Sequence, residues 1–284
     1  MRIASLSNRL VIVESTGEVD YAFDVAELSH GRFPSDAQSV YEDWDAFRAW
    51  AAEQQLDGGS AIDRTLLDAP APRPRQVFAI GLNYSEHVAE SGNTLLDNNL
   101  PVFTKFQSCI TGPVTEVVLP PGGHTDWEVE LVVVIGRRAV DVDVDDALDY
   151  VAGYSVGQDL SERILQSAAT PRQFSLGKSF PGFGPIGPWL VTLDEFADPN
   201  DLELGCAING EPVQTSRTSQ LIFSVPRLIA SLSTTLPLLP GDVIFTGTPS
   251  GVGLGRTPQR WLAAGDVLTS EIKGIGGLRQ TFVD

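Results

Sequence analysis

The sequence predicts a β-rich α+β fold, and three observations carry that prediction. Short apolar runs outnumber helical patterns from Gln76 onward. The two patterns do not alternate one for one, as a doubly wound sheet would require. The run Asp68-Ala-Pro-Ala-Pro-Arg-Pro-Arg75 carries three prolines that forbid both helix and central strand. That run sets an expected boundary between a small N-terminal α+β domain, residues 1–70, and a larger domain, residues 71–284.

Within the first part, residues 2–13 and 17–23 read as strands around a Ser-Thr-Gly turn. Residues 39–53 read as a helix because Tyr41, Trp44, Phe47 and Trp50 recur at helical spacing. Beyond the prolines, strands are expected over 76–80, 101–106, 117–119, 127–135, 153–158, 189–192, 202–208, 242–246 and 267–272. Helices are expected over 85–91, 144–149, 161–169 and 224–232, while the glycine- and proline-dense 181–188 reads as turn.

Composition narrows the partners. With 19 Lys and Arg against 37 Asp and Glu, the formal charge is −18, which repels nucleic acid and anionic membrane surfaces. No apolar run reaches the ~18 residues of a membrane helix. The N-terminus has no signal-peptide pattern, and two cysteines, Cys109 and Cys206, make no disulfide framework, so a reducing, cytoplasmic setting is expected. Only three histidines are present, so a metal site must rest mainly on carboxylates.

Four stretches carry chemistry. In Asp126-Trp-Glu-Val-Glu-Leu-Val-Val-Val-Ile-Gly136, period two puts Glu128 and Glu130 on one face of a strand. If that strand is buried, the two like charges call for a cation between them, and hard oxygen ligands favour Mg²⁺, Mn²⁺ or Ca²⁺; if one face is wet, the alternation is ordinary. His87 and Glu90 are three apart, so a helical turn makes them a candidate base with its orienting carboxylate, or else a surface pair.

Asp159 sits where a strand passes into a helix and suits a cap or a third metal ligand. Arg163 and Gln166 follow on one helical face, able to bind an anion, and Lys178 is either a further cation of the site or a solvated loop residue. The loop Thr246-Gly-Thr-Pro-Ser-Gly-Val-Gly-Leu-Gly255 can turn backbone N–H groups toward a carboxylate or phosphate, but no helix pattern follows it and a dinucleotide fingerprint is excluded. No Gly-x-Ser-x-Gly elbow occurs.

The ordered set of His-x-x-Glu, Asp-x-Glu-x-Glu-Leu, Asp-x3-Arg-x2-Gln, Gly-Lys-Ser-Phe, Asn-Gly-Glu and Thr-Gly-Thr-Pro-x-Gly-Val-Gly resembles the fumarylacetoacetate hydrolase family from about Arg75 to the C-terminus. The resemblance implies a β-rich roll assembled as a homodimer, with the first 70 residues as the variable small domain of its bacterial branch. It implies that Glu128, Glu130 and Asp159 hold one divalent cation, usually Mg²⁺ or Mn²⁺. Arg163, Gln166 and Lys178 would contact substrate, with Lys178 also stabilising developing negative charge, and Thr248 would hold a carboxylate or carbonyl oxygen.

His87 with Glu90 would activate water to cleave the C–C bond of a small anionic 2-oxo or 2,4-diketo acid. That class spans acylpyruvates, fumarylacetoacetate-like compounds and diketo-deoxy sugar acids. Oxaloacetate decarboxylation and 2-hydroxy-dienedioate isomerisation use the same metal site. A non-catalytic Ca²⁺-stabilised module would need the carboxylates without His87, Arg163 and Lys178. The loop 93–100, with Leu95, Leu96 and Leu100, is expected to act as a lid or to remain a surface loop.

Overall fold

The architecture follows from one strand that is apolar on both faces. In the computed structural model, which describes residues 1–17, 19–90 and 100–284, Val129–Ile135 is buried at every position. Leu131, Val133 and Ile135 enter one hydrophobic core while Val132 and Val134 enter a second. Such a strand needs neighbours at both edges and packing on both faces. Val151–Gln158 and Val243–Phe245 flank it antiparallel.

The sheet extends from this centre in both directions. On one side Val243–Phe245 pairs in parallel with Val77–Ile80, which pairs with Val102–Thr104. On the other, Val151–Gln158 pairs with Gly184–Val191, and the N-terminal strand Arg2–Leu6 joins there through Arg2 opposite Val191. A second sheet runs in the order Glu211–Arg217, Glu203–Ile208, Val267–Ile272, Gly276–Val283, Val114–Val118. One core lies where this second sheet meets the first, around Tyr154, Val156, Leu268, Ile272 and Phe282. The other lies where Tyr41, Trp44, Phe47 and Trp50 cover the opposite face.

The β-rich expectation holds, and the differences are local. The single strand expected over 2–13 is a hairpin, Arg2–Leu6 and Arg9–Ser15, because Ser7 and Asn8 adopt φ of 49° and 63°, the left-handed pair of a two-residue turn. Residues 184–191 form a strand where a turn was expected through 188. There glycine serves close approach: a Cβ on Gly187 would lie 2.9 Å from Pro113 Cβ. The helix expected over 144–149 is a 3₁₀ helix, Val144–Tyr150, and the one expected over 39–53 is divided into a 3₁₀ turn and the helix Trp44–Ala51. Among the described residues, no helix is long and apolar enough to cross a membrane.

Candidate active site

The ends of the central strands converge on one place. Asp126 and Glu128 lead into Val129–Ile135, Glu130 is its second residue, Asp159 follows Val151–Gln158, and Thr246-Gly-Thr248 follows Val243–Phe245. Asp159 N–H donates to the Glu128 carbonyl at 2.9 Å, which fixes the two carboxylates side by side. Where the regular ladder stops, side chains continue it: Thr246 Oγ1 donates to Leu131 O at 2.9 Å and Thr248 Oγ1 to Val129 O at 3.0 Å. Gln158 accepts from Glu128 N and Gln214 from Val129 N, so the backbone beside the carboxylates has partners. Gly157 stands opposite Glu130, and a Cβ there would lie 2.4 Å from Val132 Cγ2.

Ligand atoms of Glu128, Glu130 and Asp159 lie within 4.8 Å of one another, and all three residues are buried. The wet-face alternative for the glutamates is therefore overturned. Around them Arg163 Nη2 donates to Glu128 Oε1 at 2.7 Å and its Nε to Asp126 Oδ2 at 2.8 Å. Lys178 Nζ donates to Glu128 Oε2 and Asp159 Oδ2, both at 2.6 Å, and is 3% exposed, so it is no solvated loop lysine. Gln166 receives Arg163 Nη1 at 3.0 Å.

Two members were missed from sequence. Lys105, buried between Phe103 and Phe106 in the chain, donates to Asp159 Oδ1 at 2.6 Å and to the carbonyls of Lys178 and Phe183. Its only sequence signal is a lysine set in an apolar run. Asp126 accepts from Gly253 N and Leu254 N and holds Arg163. It was legible in principle, since it continues the period of Glu128 and Glu130.

Electrostatics separates the carboxylates. Burial alone would raise Glu128, but the charges of Lys178 and Arg163 outweigh it and bring its pKa down to about 2. Glu130 is pushed well up by burial and by the charges of Asp159 and Glu128. Among the described residues it has no cationic partner within ion-pair distance, and it takes one hydrogen bond, from Gly247 N at 2.7 Å. Burial would lower Lys178 and Arg163, but their carboxylates raise both. With Glu130 ionised, the four carboxylates Asp126, Glu128, Glu130 and Asp159 face three cations, Arg163, Lys178 and Lys105, and the cluster carries −1. The donor set is all oxygen and Glu130 lacks positive charge beside it, so the residues fit a hard dication.

The cluster opens on a cleft of about 150 Å³ lined by His87, Glu128, Arg163, Gln166, Lys178 and Thr248, with Ile80, Leu82, Phe103, Phe174 and Leu254 as apolar wall. His87 Nδ1 lies 3.4 Å from Glu90 Oε2, and the Glu90 carboxylate is fixed by Gly251 N at 3.1 Å to each oxygen. With Nδ1 turned to Glu90, Nε2 is the nitrogen left for the cleft. His87 is 8% exposed, so this is not a surface pair. Of the loop 93–100 only Leu100 falls within the described residues, where it packs against the core.

Comparison with known proteins identifies the family and the fold. The family model "Fumarylacetoacetate (FAA) hydrolase C-terminal" matches residues 76–283. Rat "Oxaloacetate tautomerase Fahd2a, mitochondrial" is 44% identical over 232 residues, 81% of this chain and 72% of the rat protein. Its human counterpart FAHD2A is 45% identical over 209 residues, 73% of this chain and 66% of the human protein. The crystal structure of a putative HpcE protein from Mycobacterium smegmatis superposes with TM-score 0.94 at 56% identity, covering 100% of this chain and 99% of that one. Maleylpyruvate hydrolase from Sphingobium sp. SYK-6, solved with manganese(II) and pyruvate, superposes with TM-score 0.80 at 29% identity, covering 100% and 99%.

Proposed function

The chain belongs to the fumarylacetoacetate hydrolase family, and from that premise we propose that it is a metal-dependent enzyme that cleaves the C–C bond of a β-diketo acid with water. The observation that carries this reading is His87, backed by Glu90, opening on the same cleft as Arg163, Lys178 and Glu128 of the carboxylate triad. Glu128, Glu130 and Asp159 would hold the cation, with Mg²⁺ or Mn²⁺ favoured over Ca²⁺. When bound it would polarise the oxygens of a 2-oxo acid as a Lewis acid. The manganese and pyruvate held by the maleylpyruvate hydrolase relative support that assignment.

His87 Nε2 takes a proton from water, and Glu90 steadies the imidazolium that forms. The water oxygen joins the acyl carbon. The C–C bond electrons pass to the 2-oxo acid fragment, where Lys178 and Arg163 supply fixed positive charge beside the developing enolate oxygen. That fragment then takes the proton, so one diketo acid and one water yield a carboxylic acid and a 2-oxo acid. Gln166 and Thr248 orient the substrate's carboxylate and carbonyl oxygens.

A second reading is favoured by the names of the mammalian relatives: keto–enol conversion of oxaloacetate, in which His87 moves a proton between the α-carbon and the carbonyl oxygen, exchanging a C–H bond for an O–H bond with every C–C bond left intact. Proton NMR of the Mg²⁺-loaded protein with acetylpyruvate and with oxaloacetate separates the readings. Acetate plus pyruvate from acetylpyruvate supports hydrolysis. Faster enol–keto exchange of oxaloacetate with acetylpyruvate untouched replaces it with tautomerisation, and pyruvate plus CO₂ from oxaloacetate replaces it with decarboxylation. The reading also carries a homodimer, and light scattering of the purified protein tests it.

A further inference from the structure

Arg172 lines the same cleft, yet it plays no part in the cluster described above. Arg163 is committed to Asp126 and Glu128, Lys178 to Glu128 and Asp159, and Lys105 to Asp159. Arg172 is exposed and has no carboxylate or hydrogen-bond partner among the described residues. Among the described residues, the only carboxylate lining the cleft is Glu128, which already has two cations. A guanidinium that no described carboxylate engages, beside a cleft whose one described acid is already paired, is a site for an anionic group of the ligand.

The segment that carries Arg172 is fixed on both sides. It runs from the helix Arg163–Ser167 to the turn bearing Lys178, and Glu162 N–H closes it by donating to Gly177 O at 2.7 Å. Phe174 packs edge-on against Phe103 with ring centroids 5.5 Å apart, placing an apolar wall next to the guanidinium. A ligand filling this cleft therefore meets oxygen-binding groups, apolar side chains and the planar guanidinium of Arg172.

We infer that Arg172 is a specificity-determining residue of this cleft that binds a second carboxylate of the substrate. The inference rests on the reading of the cleft as a 2-oxo acid site, and its test is a binding measurement that needs no turnover. Calorimetric titration of the Mg²⁺-loaded protein compares 2-oxoglutarate with 2-oxopentanoate, which share a chain length and differ by the terminal carboxylate. The wild type binds 2-oxoglutarate at least about tenfold tighter, and Arg172→Gln brings the two within about twofold by weakening 2-oxoglutarate alone. Arg172→Lys, which keeps charge without the planar fork, retains part of the preference.

Equal binding of the two acids by the wild type overturns the inference, as does equal weakening of both by Arg172→Gln, or no binding of either. Discrimination intact in a protein that turns over none of the diketo or 2-oxo acids would remove the proposed reaction and leave Arg172 standing. Turnover without discrimination would do the reverse.

Discussion

Two sets of ion pairs in this molecule look alike on a list of distances and differ in what surrounds them. Near the N-terminal region, Arg64–Asp20, Arg75–Glu42 and Arg137–Asp45 close at 2.7–2.8 Å with their arginines about half exposed. In the cleft, Lys178–Asp159, Arg163–Glu128 and Lys105–Asp159 close at 2.6–2.7 Å with every side chain nearly dry. Water screens the first set, and each such pair is worth about 0–1 kcal/mol. The second set has given up its hydration, which its mutual attraction repays only in part. A folded protein gains little from keeping seven charges there, so the cluster is better understood as prepared for an ion and an anionic substrate than as a source of stability.

The largest effect should come from breaking the buried set. Glu128→Ala leaves Arg163 and Lys178 each with one carboxylate instead of two, and is expected to lower unfolding free energy by about 3 kcal/mol and to abolish turnover. Glu42→Ala, on an exposed pair, should stay within about 0.5 kcal/mol of wild type. Urea denaturation of both variants measures the contrast, and equal costs would erase the distinction between the two regions. Next in size, His87→Ala should reduce kcat by about 10²-fold or more while leaving the urea midpoint in place. A smaller loss removes His87 as the base.

Glu130 sharpens the comparison because the expected sign reverses. Burial and its two like-charged neighbours raise its pKa, so in the metal-free protein its ionisation opposes folding. That cost is absent below the ordinary carboxylate pKa and is full above the raised one. Metal-free Glu130→Gln should therefore be more stable than wild type at neutral pH, by about 1 kcal/mol. Wild type should gain about 2.7 kcal/mol from Mn²⁺ at a hundred times its Kd, and the variant should not. Thermal melts with and without Mn²⁺ decide both points, and a variant that still responds to the ion would take Glu130 out of the ligand set.

The legible parts of this site were those written in local period. Glu128 and Glu130 share a strand face two residues apart, and His87 and Glu90 share a helical turn, so spacing alone juxtaposes each pair. Lys105 is held under Asp159 by pairing across 54 positions, and nothing around it in sequence announces the contact. The fold divides the same way. The central strand was visible as an apolar run, whereas 184–191 became a strand because neighbours on both edges hold it, against a local composition that reads as turn. Strand-end sites are legible where the chemistry lies along one strand and obscure where separate strands bring it together.

The smallest expected effect tests the exposed half of the comparison. Asp36 caps the 3₁₀ helix Ala37–Asp43 by accepting from Ser39 N at 3.2 Å and Ser39 Oγ at 2.6 Å, and it also pairs with Arg73. Burial would raise its carboxyl, but Ser39 and Arg73 together hold it below its ordinary range. A lowered pKa means that the stabilising effect is present above the unfolded value near 3.9 and is lost as pH falls through the folded one. Asparagine keeps the capping acceptor and removes the charge. Asp36→Asn should therefore cost about 0.5 kcal/mol at pH 7, the discounted scale of a screened pair, and nothing at pH 2. Paired urea titrations of wild type and variant at the two pH values measure it. A cost of several kcal/mol, or one that persists at pH 2, would mean that the exposed pairs carry more of the fold than their solvation allows.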